Sequence, residues 1–256
     1  MEADVNPLQI AIDTVTEAGA LILSYRGRDL EISEKSRPGD LVTAADRASE
    51  ALIVERLQVA TPRAHLLGEE GGARVGTSDE RWIFDPIDGT TNYAHGYPLF
   101  CIALAYEVAG EVVAGVVYAP ALGELYAAER GAGATLNGAR IGVSDAASVA
   151  DSLVCTGFVP GRYDRNGNNF ATFSKVAQAV RRDGSAALDM AFVAAGRFEA
   201  FWEYDLKAWD VAAGALLVRE AGGRVSAIDG GAHLLDGGST LATNARIHDE
   251  MLRLLV

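Results

Sequence analysis

The chain predicts a mixed α+β / α/β fold in which helices cover extended sheet, and three features of its 256 residues carry that expectation. From Phe100 to Gly138, apolar and β-branched runs are separated by turn residues, the pattern of an antiparallel meander. From Leu153 onward, short apolar runs alternate with helical stretches, as in an α/β half. Hydrophobic residues make up 49% and charged residues 22%, with no apolar run long enough to cross a bilayer, so disordered and membrane-spanning classes are excluded.

In chain order, Leu8, Ala11, Ile12, Val15, Gly19 and Ile22 share one face at helical spacing and predict an amphipathic first helix. A short strand is expected over Leu30 to Ser33, then a polar loop from Lys35 to Thr43. Thr43-Ala44-Ala45-Asp46 matches a capping box and opens a second helix through Leu57. His65-Leu66-Leu67 reads as a strand stopped by Gly68, with Glu69 and Glu70 at its end. Neighbouring side chains on regular structure point apart, so one of these two acids at most faces a given site. The meander follows, with turns at Ala109-Gly110 and at Asn137-Gly138, the latter a hairpin signal. The small, polar segment Ser144 to Asp151 suggests a boundary between residues 1–146 and 147–256. Gly161 to Asn169 predicts a mobile loop, Phe170 to Ala179 a helix, and Arg181 to Ser185 a turn. Ser185 then caps a small-residue helix, Ala186 to Ala195. Phe201-Trp202-Glu203 reads as a strand ending in an acid. Asp210 opens an apolar helix closed by Gly222-Gly223, and closing strands and a short helix follow, with His248 and Asp249 expected in solvent.

The densest chemistry lies in Trp82-Ile83-Phe84-Asp85-Pro86-Ile87-Asp88-Gly89-Thr90-Thr91-Asn92-Tyr93. An apolar strand is expected to end at Asp85, where Pro86 and Gly89 force a turn. Asp85 and Asp88 can then converge with the Ile87 carbonyl between them, and three hard oxygen donors aimed together suit Mg2+. Gly89, Thr90 and Thr91 offer successive backbone N–H groups and hydroxyls to a phosphate. Asp, Pro, Gly and Thr also build ordinary turns, and Asp-x-x-Asp alone does not separate the two readings.

The longer string does. Asp85-Pro86-Ile87-Asp88-Gly89-Thr90-Thr91-Asn92 resembles the signature of the inositol monophosphatase family of Mg2+-dependent, lithium-sensitive sugar phosphatases. Trp209-Asp210-Val211-Ala212-Ala213-Gly214, leading to Glu220-Ala221-Gly222-Gly223, resembles its C-terminal motif, and Gly68-Glu69-Glu70 resembles the segment holding its water-activating glutamate. The resemblance implies a layered αβαβα sandwich and, usually, a homodimer. It implies two or three Mg2+ ions per site, with Mn2+ as a substitute. Asp85 would bridge two ions about 4 Å apart, with Glu69 and the Ile87 carbonyl on one and Asp88 and Asp210 on the other. Glu69 and Thr90 would activate water, with Gly89 and Thr90 holding the phosphate. Ser185, Ala186 and Glu203 would touch substrate, and Lys35, Asp46 and Glu70 would lie just behind the metal ligands. Asp46 has a second explanation, as the far half of its capping box.

Net charge is −13, which repels nucleic acid and anionic membrane at long range. It equally repels a phosphate ester, so a phosphatase of this composition needs its attraction supplied locally by cations. Cys101 and Cys155 sit in apolar surroundings without metal-site spacing and read as reduced core thiols. With the acidic N-terminus, which lacks the layout of a signal peptide, they suggest a cytoplasmic protein. Inositol-1-phosphate or a similar polyol phosphate is the expected substrate. Relatives sharing these motifs turn over fructose-1,6-bisphosphate, histidinol phosphate, NADP or 3′-phosphoadenosine 5′-phosphate, and some bacterial relatives bind RNA polymerase.

Overall fold

A computed structural model describes residues 6–34, 41–158, 164–235 and 238–255. The first part of the chain contains α1 (Pro7–Ser24), β1 (Ser33–Glu34), β2 (Leu41–Val42), α2 (Ala44–Ala60), β3 (His65–Gly68), β4 (Gly72–Arg74), β5 (Glu80–Asp88) and α3 (Thr90–Ala94). The meander follows as β6 (Cys101–Val108), β7 (Glu111–Ala119), β8 (Glu124–Glu129), β9 (Gly133–Leu136) and β10 (Ala139–Arg140). Then come β11 (Leu153–Thr156), α4 (Asp164–Val176), β12 (Ala179–Arg181), α5 (Ala186–Ala194), β13 (Ala200–Tyr204), α6 (Ala208–Glu220), β14 (Arg224–Ser226), β15 (Ser239–Thr243) and α7 (His248–Leu254).

Two sheets organise these elements. The larger has eight strands in the order β10-β9-β8-β7-β6-β5-β3-β4, antiparallel except where β3 runs beside β5. The smaller has five, β12-β11-β13-β15-β14, with β11 parallel to both its neighbours. Alternate residues of β5 and β6 enter different cores, because these two strands are buried on both faces. Trp82, Phe84, Ile102 and Leu104 pack with Val15, Ile22 and Ile53 of α1 and α2. Ile83, Cys101, Ala103 and Ala105 pack against α5 and α6, which on their other side meet Cys155, Phe201 and Ala242 of the smaller sheet. Val154, Trp202 and Leu241 face Phe173 of α4 and Met251 of α7. The layers are therefore α, β, α, β, α, the sandwich that the sequence motifs imply.

Small side chains set the spacing of the central helical layer. Gly115 of β7 lies against Ala213 of α6, where an added Cβ would come 3.1 Å from the Ala213 Cα, and Cβ at Gly214 would come 2.7 Å from that of Met190 in α5. A larger residue at Gly115 would push α6 off the sheet and one at Gly214 would push α6 from α5, and overpacking of this kind costs ~1–3 kcal/mol.

Several local expectations are corrected. β5 does not end at Asp85 but continues to Asp88 through a register shift against β6. The expected strand over Leu30 to Ser33 is reduced to Ser33–Glu34. The segment expected as a mobile loop is helical from Asp164, where α4 begins, and Asn166 is buried, its Nδ2 donating to the Gly157 carbonyl at 2.7 Å and its Oδ1 accepting from Trp202 Nε1 at 2.6 Å. The Gly/Asn composition is tolerated there because these side-chain bonds replace propensity. His248 is fully buried, bonded through Nε2 to Ser226 Oγ and through Nδ1 to Thr243 Oγ1, both at 2.9 Å.

Candidate active site

The strand-end distortion is what aims the first two carboxylates. Pro86 has no N–H for the ladder, so pairing with β6 lapses between Asp85 and Asp88, and a bulge there re-aims side chains. Asp85 Oδ1 takes the Ile87 N–H at 2.9 Å in place of a strand partner. Ser49 of α2 donates to the Pro86 carbonyl at 3.0 Å and ties the bulge to the helix behind it. Gly89 then turns the chain at φ 90°, and a Cβ there would stand 3.1 Å from the Leu99 carbonyl oxygen. A side chain is excluded by both conformation and space.

Behind this turn, Asp46 satisfies both of its sequence readings. Its Oδ2 accepts the backbone N–H and the hydroxyl of Thr43, at 2.8 and 2.5 Å, as a capping box requires. Its Oδ1 accepts from Thr90 Oγ1 at 3.0 Å, and the same hydroxyl stands 3.0 Å from the Ile87 carbonyl oxygen. Thr90 is thus oriented by groups from both helix and strand. Glu69 faces the cleft, whereas the N–H of Glu70 donates to Glu50 Oε2 of α2 at 2.9 Å, anchoring the turn that carries Glu69. Glu50 was not singled out from the sequence, where it is an ordinary helix position. Lys35 lies outside the described residues.

The opposite side comes from the C-terminal half. Ser185 occupies the cap position of α5 but makes no side-chain cap bond; its hydroxyl donates to Asp88 Oδ2 at 2.8 Å, and the Ala187 N–H reaches the same oxygen at 2.7 Å. Burial pushes the Asp88 carboxyl above its ordinary range, with these two bonds opposing it. Asp210 lies in the first turn of α6 and accepts the Lys207 N–H at 2.7 Å. Glu203 ends up against Gly157, where any side chain would overlap its carboxylate. Burial raises Glu203 strongly, and the charges of Asp210 and Asp88 add to this while Arg182 works against it. Asn92 joins the two sides, its Nδ2 bonding the Leu99 and Asp183 carbonyls at 2.6 and 2.7 Å.

These groups enclose a cleft of about 310 Å³ lined by Glu69, Asp85, Ile87, Asp88, Gly89, Thr90, Ala186, Glu203 and Asp210 together. Leu41, Phe158, Arg182, Asp183 and Leu206 also line it, and none of these was singled out from the sequence. Their signal is tertiary, since they come from four separate places in the chain, Arg182 and Asp183 sharing the turn between β12 and α5. Arg182, whose guanidinium sits 5.5 Å from the Phe158 ring centre, is the one basic residue among the described lining groups. The acids are crowded, with Asp85, Asp88 and Glu203 buried and Glu69 and Asp210 partly so, and their ionised forms need a cation beside them. Carboxylate and carbonyl oxygens are the donors that Mg2+ takes, and the residues present fit that ion.

A layered sandwich with a carboxylate-lined cleft beside backbone amides defines a metal-dependent phosphoric monoester hydrolase, and comparison with known proteins agrees. The model of the inositol monophosphatase family matches residues 5–256, and the chain belongs to that family. It is 44% identical to an inositol-1-monophosphatase of Mesorhizobium japonicum, over 96% of this chain and 94% of that protein. It is 42% identical to the Nus factor SuhB of Pseudomonas aeruginosa, over 96% and 94% respectively. The crystal structure of the extragenic suppressor protein suhB from Bartonella henselae superposes with a TM-score of 0.92 at 38% identity, covering 96% of this chain and 97% of that one. An IMPase/NADP phosphatase solved with Mg2+ and phosphate superposes at 0.87 and 26% identity, over 96% and 94%. The family is Mg2+-dependent and acts on phosphorylated substrates. Among the described residues, no helix is long and apolar enough to cross a membrane.

Proposed function

We propose that this chain hydrolyses inositol-1-phosphate or a closely related polyol monophosphate. The observation that carries the reading is the meeting of Glu69, Asp85, Asp88 and Asp210 in one cleft with Glu203. Glu69, Asp85, the Ile87 carbonyl, Asp88 and Asp210 would hold Mg2+, as two or three ions, with Mn2+ an acceptable replacement. When bound, the ions supply positive charge to the phosphate and lower the pKa of water.

The residues of the chain do the rest. Glu69 accepts a proton from the attacking water, and Thr90, its hydroxyl fixed between Asp46 and Ile87, orients that water. The N–H groups of Gly89 and Thr90 hold phosphate oxygens as charge grows on them. Helix α3 spans five residues, so these individual amides rather than a long helix dipole supply the contact. Ser185 and Ala187 keep Asp88 in position, Ala186 borders the substrate, and Glu203 accepts hydrogen bonds from polyol hydroxyls. Asp46 and Glu70 act through the groups they touch.

Names of relatives favour this substrate, and one favours a second role: a 42% identical protein is called a Nus factor, so an RNA-polymerase-bound adaptor retaining the catalytic cleft is the alternative. A net charge of −13 favours a protein partner over direct contact with nucleic acid. We further propose a cytoplasmic homodimer. The deciding measurement is phosphate release from inositol-1-phosphate with and without Mg2+, beside fructose-1,6-bisphosphate, histidinol phosphate, NADP and 3′-phosphoadenosine 5′-phosphate. Mg2+-dependent turnover led by inositol-1-phosphate is expected. A folded, Mg2+-loaded protein that releases none from any of them overturns the reading and leaves the adaptor.

A further inference from the structure

Behind one wall of the carboxylate cleft, and sharing Asp183 with its lining, the fold assembles a second group of donors that no sequence spacing announces. Cys155 of β11, Asp183 of the β12–α5 turn and Asp189 of α5 each present one donor atom, and these atoms lie within 4.8 Å of one another. Cys155 and Asp189 are 0% and 1% exposed, and Asp189 Oδ1 has no hydrogen-bond partner. A buried carboxylate oxygen left without a donor is costly, and such groups call for an ion or a water. The main charges acting on Asp189 are those of Asp183, Asp88 and Glu203, all acidic.

We propose that Cys155, Asp183 and Asp189 bind one thiophilic divalent cation of the Zn2+ type, separate from the Mg2+ ligands. The sulfur argues against Mg2+, which takes hard oxygen donors, and for Zn2+ or Co2+. Zn2+ bonds of about 2.0–2.3 Å place neighbouring donors of a tetrahedral site roughly 3.3–3.8 Å apart. The three donors, within 4.8 Å of one another, would draw together onto a bound ion. Three protein donors leave a fourth position for water. Asp183 is half-buried and borders the cleft, giving the ion a route from solvent. Asp88 takes no part, because its Oδ2 is already bonded by Ser185 and Ala187.

Burial raises the pKa of both the Cys155 thiol and the Asp189 carboxyl. Binding forms one sulfur–metal and two oxygen–metal bonds and releases to solvent the thiol proton and any proton the carboxyls carry.

Co2+ titrated into the protein at saturating Mg2+ tests the site. One equivalent is expected to give near-ultraviolet sulfur-to-cobalt charge-transfer absorption that Zn2+ abolishes. Cys155→Ser is expected to lose the band while keeping the far-ultraviolet circular dichroism and Mg2+-dependent phosphate release of the parent. Asp189→Asn, which keeps the thiol, is expected to weaken Co2+ binding. A parent protein without the band overturns the proposal, as does a band that survives in Cys155→Ser or an affinity unchanged in Asp189→Asn. Should Cys155→Ser not fold, Cys101→Ser decides: a retained band supports Cys155 as the sulfur donor, and a lost band assigns the sulfur to Cys101 and overturns the proposal.

Discussion

On one wall of the cleft, Asp85, Ile87, Asp88, Gly89 and Thr90 come from residues 85–90, shaped by a proline, a bulge and a glycine at φ 90°. On the other, Phe158, Arg182, Ala186, Glu203 and Asp210 come from separate strand ends, turns and helix starts. The first wall takes its shape from local backbone chemistry, with Ser49, Asp46, Ser185 and Ala187 holding that shape from outside. The second exists only after two sheets and the α5–α6 layer have packed. A local wall suits groups whose geometry must not drift, such as metal ligands, whereas an assembled wall can change residue by residue and so tune which substrate fits.

The largest effect should come from the one metal-binding candidate that the assembled wall contributes. Asp210→Asn keeps an oxygen to accept the Lys207 N–H, so the start of α6 survives while a negative ligand is lost. We expect kcat/KM to fall by more than the ~10–100-fold that losing a hydrogen bond to a ligand costs, and to fall alike for every phosphate ester. Steady-state assays beside circular dichroism check this; a variant with near-parental activity removes Asp210 from the metal site.

Ser185→Ala probes the junction of the walls. It deletes the 2.8 Å bond into Asp88 and leaves the Ala187 N–H in place. A fall of ~10–100-fold in activity, partly recovered at high Mg2+, is expected. Activity independent of Mg2+ concentration would separate Ser185 from the metal and leave it a packing role. Glu203→Gln should act more weakly and selectively. With a hydrogen bond to a charged group contributing about 1.5–3 kcal/mol, KM for a polyol phosphate should rise roughly 10-fold or more. Phenyl phosphate, which has no ring hydroxyls, should be turned over almost unchanged, and an equal loss on both substrates would break the division between walls.

The same division explains what the sequence discloses. Asp85, Asp88 and Glu69 are readable because strand, turn and acid lie in one string, and Asp210 because its helix start is equally compact. Arg182, Phe158 and Leu206 are not, because nothing in their own neighbourhoods points to a cleft. Fold class is legible in the meander and the alternation that follows it, yet the order of the layers depends on which face of β5 and β6 each residue enters. Alternation inside a strand buried on both sides carries no polar signal for that. His248 shows the limit most plainly. A histidine at a helix start, followed by Asp249 and Glu250, looks solvated, but α7 folds it onto β14 and β15 between Ser226 and Thr243.

That burial makes the last prediction, small in activity and visible in stability. Burial holds the His248 imidazole neutral, with its pKa lowered to about 4 from 6.5; Arg224 also lowers it, and Asp249 opposes. Between those values the unfolded chain binds a proton that the folded chain does not. Stability from this group is therefore intact above about pH 6.5 and declines as pH falls towards 4, by about 3 kcal/mol in all. His248→Gln can still bond Ser226 and Thr243 but has no charge to gain. In urea unfolding measured from pH 7 to pH 4, the gap between parent and variant should change across that window while phosphate release at pH 7 stays the same. Parallel curves would show that His248 ionises as readily in the fold as outside it.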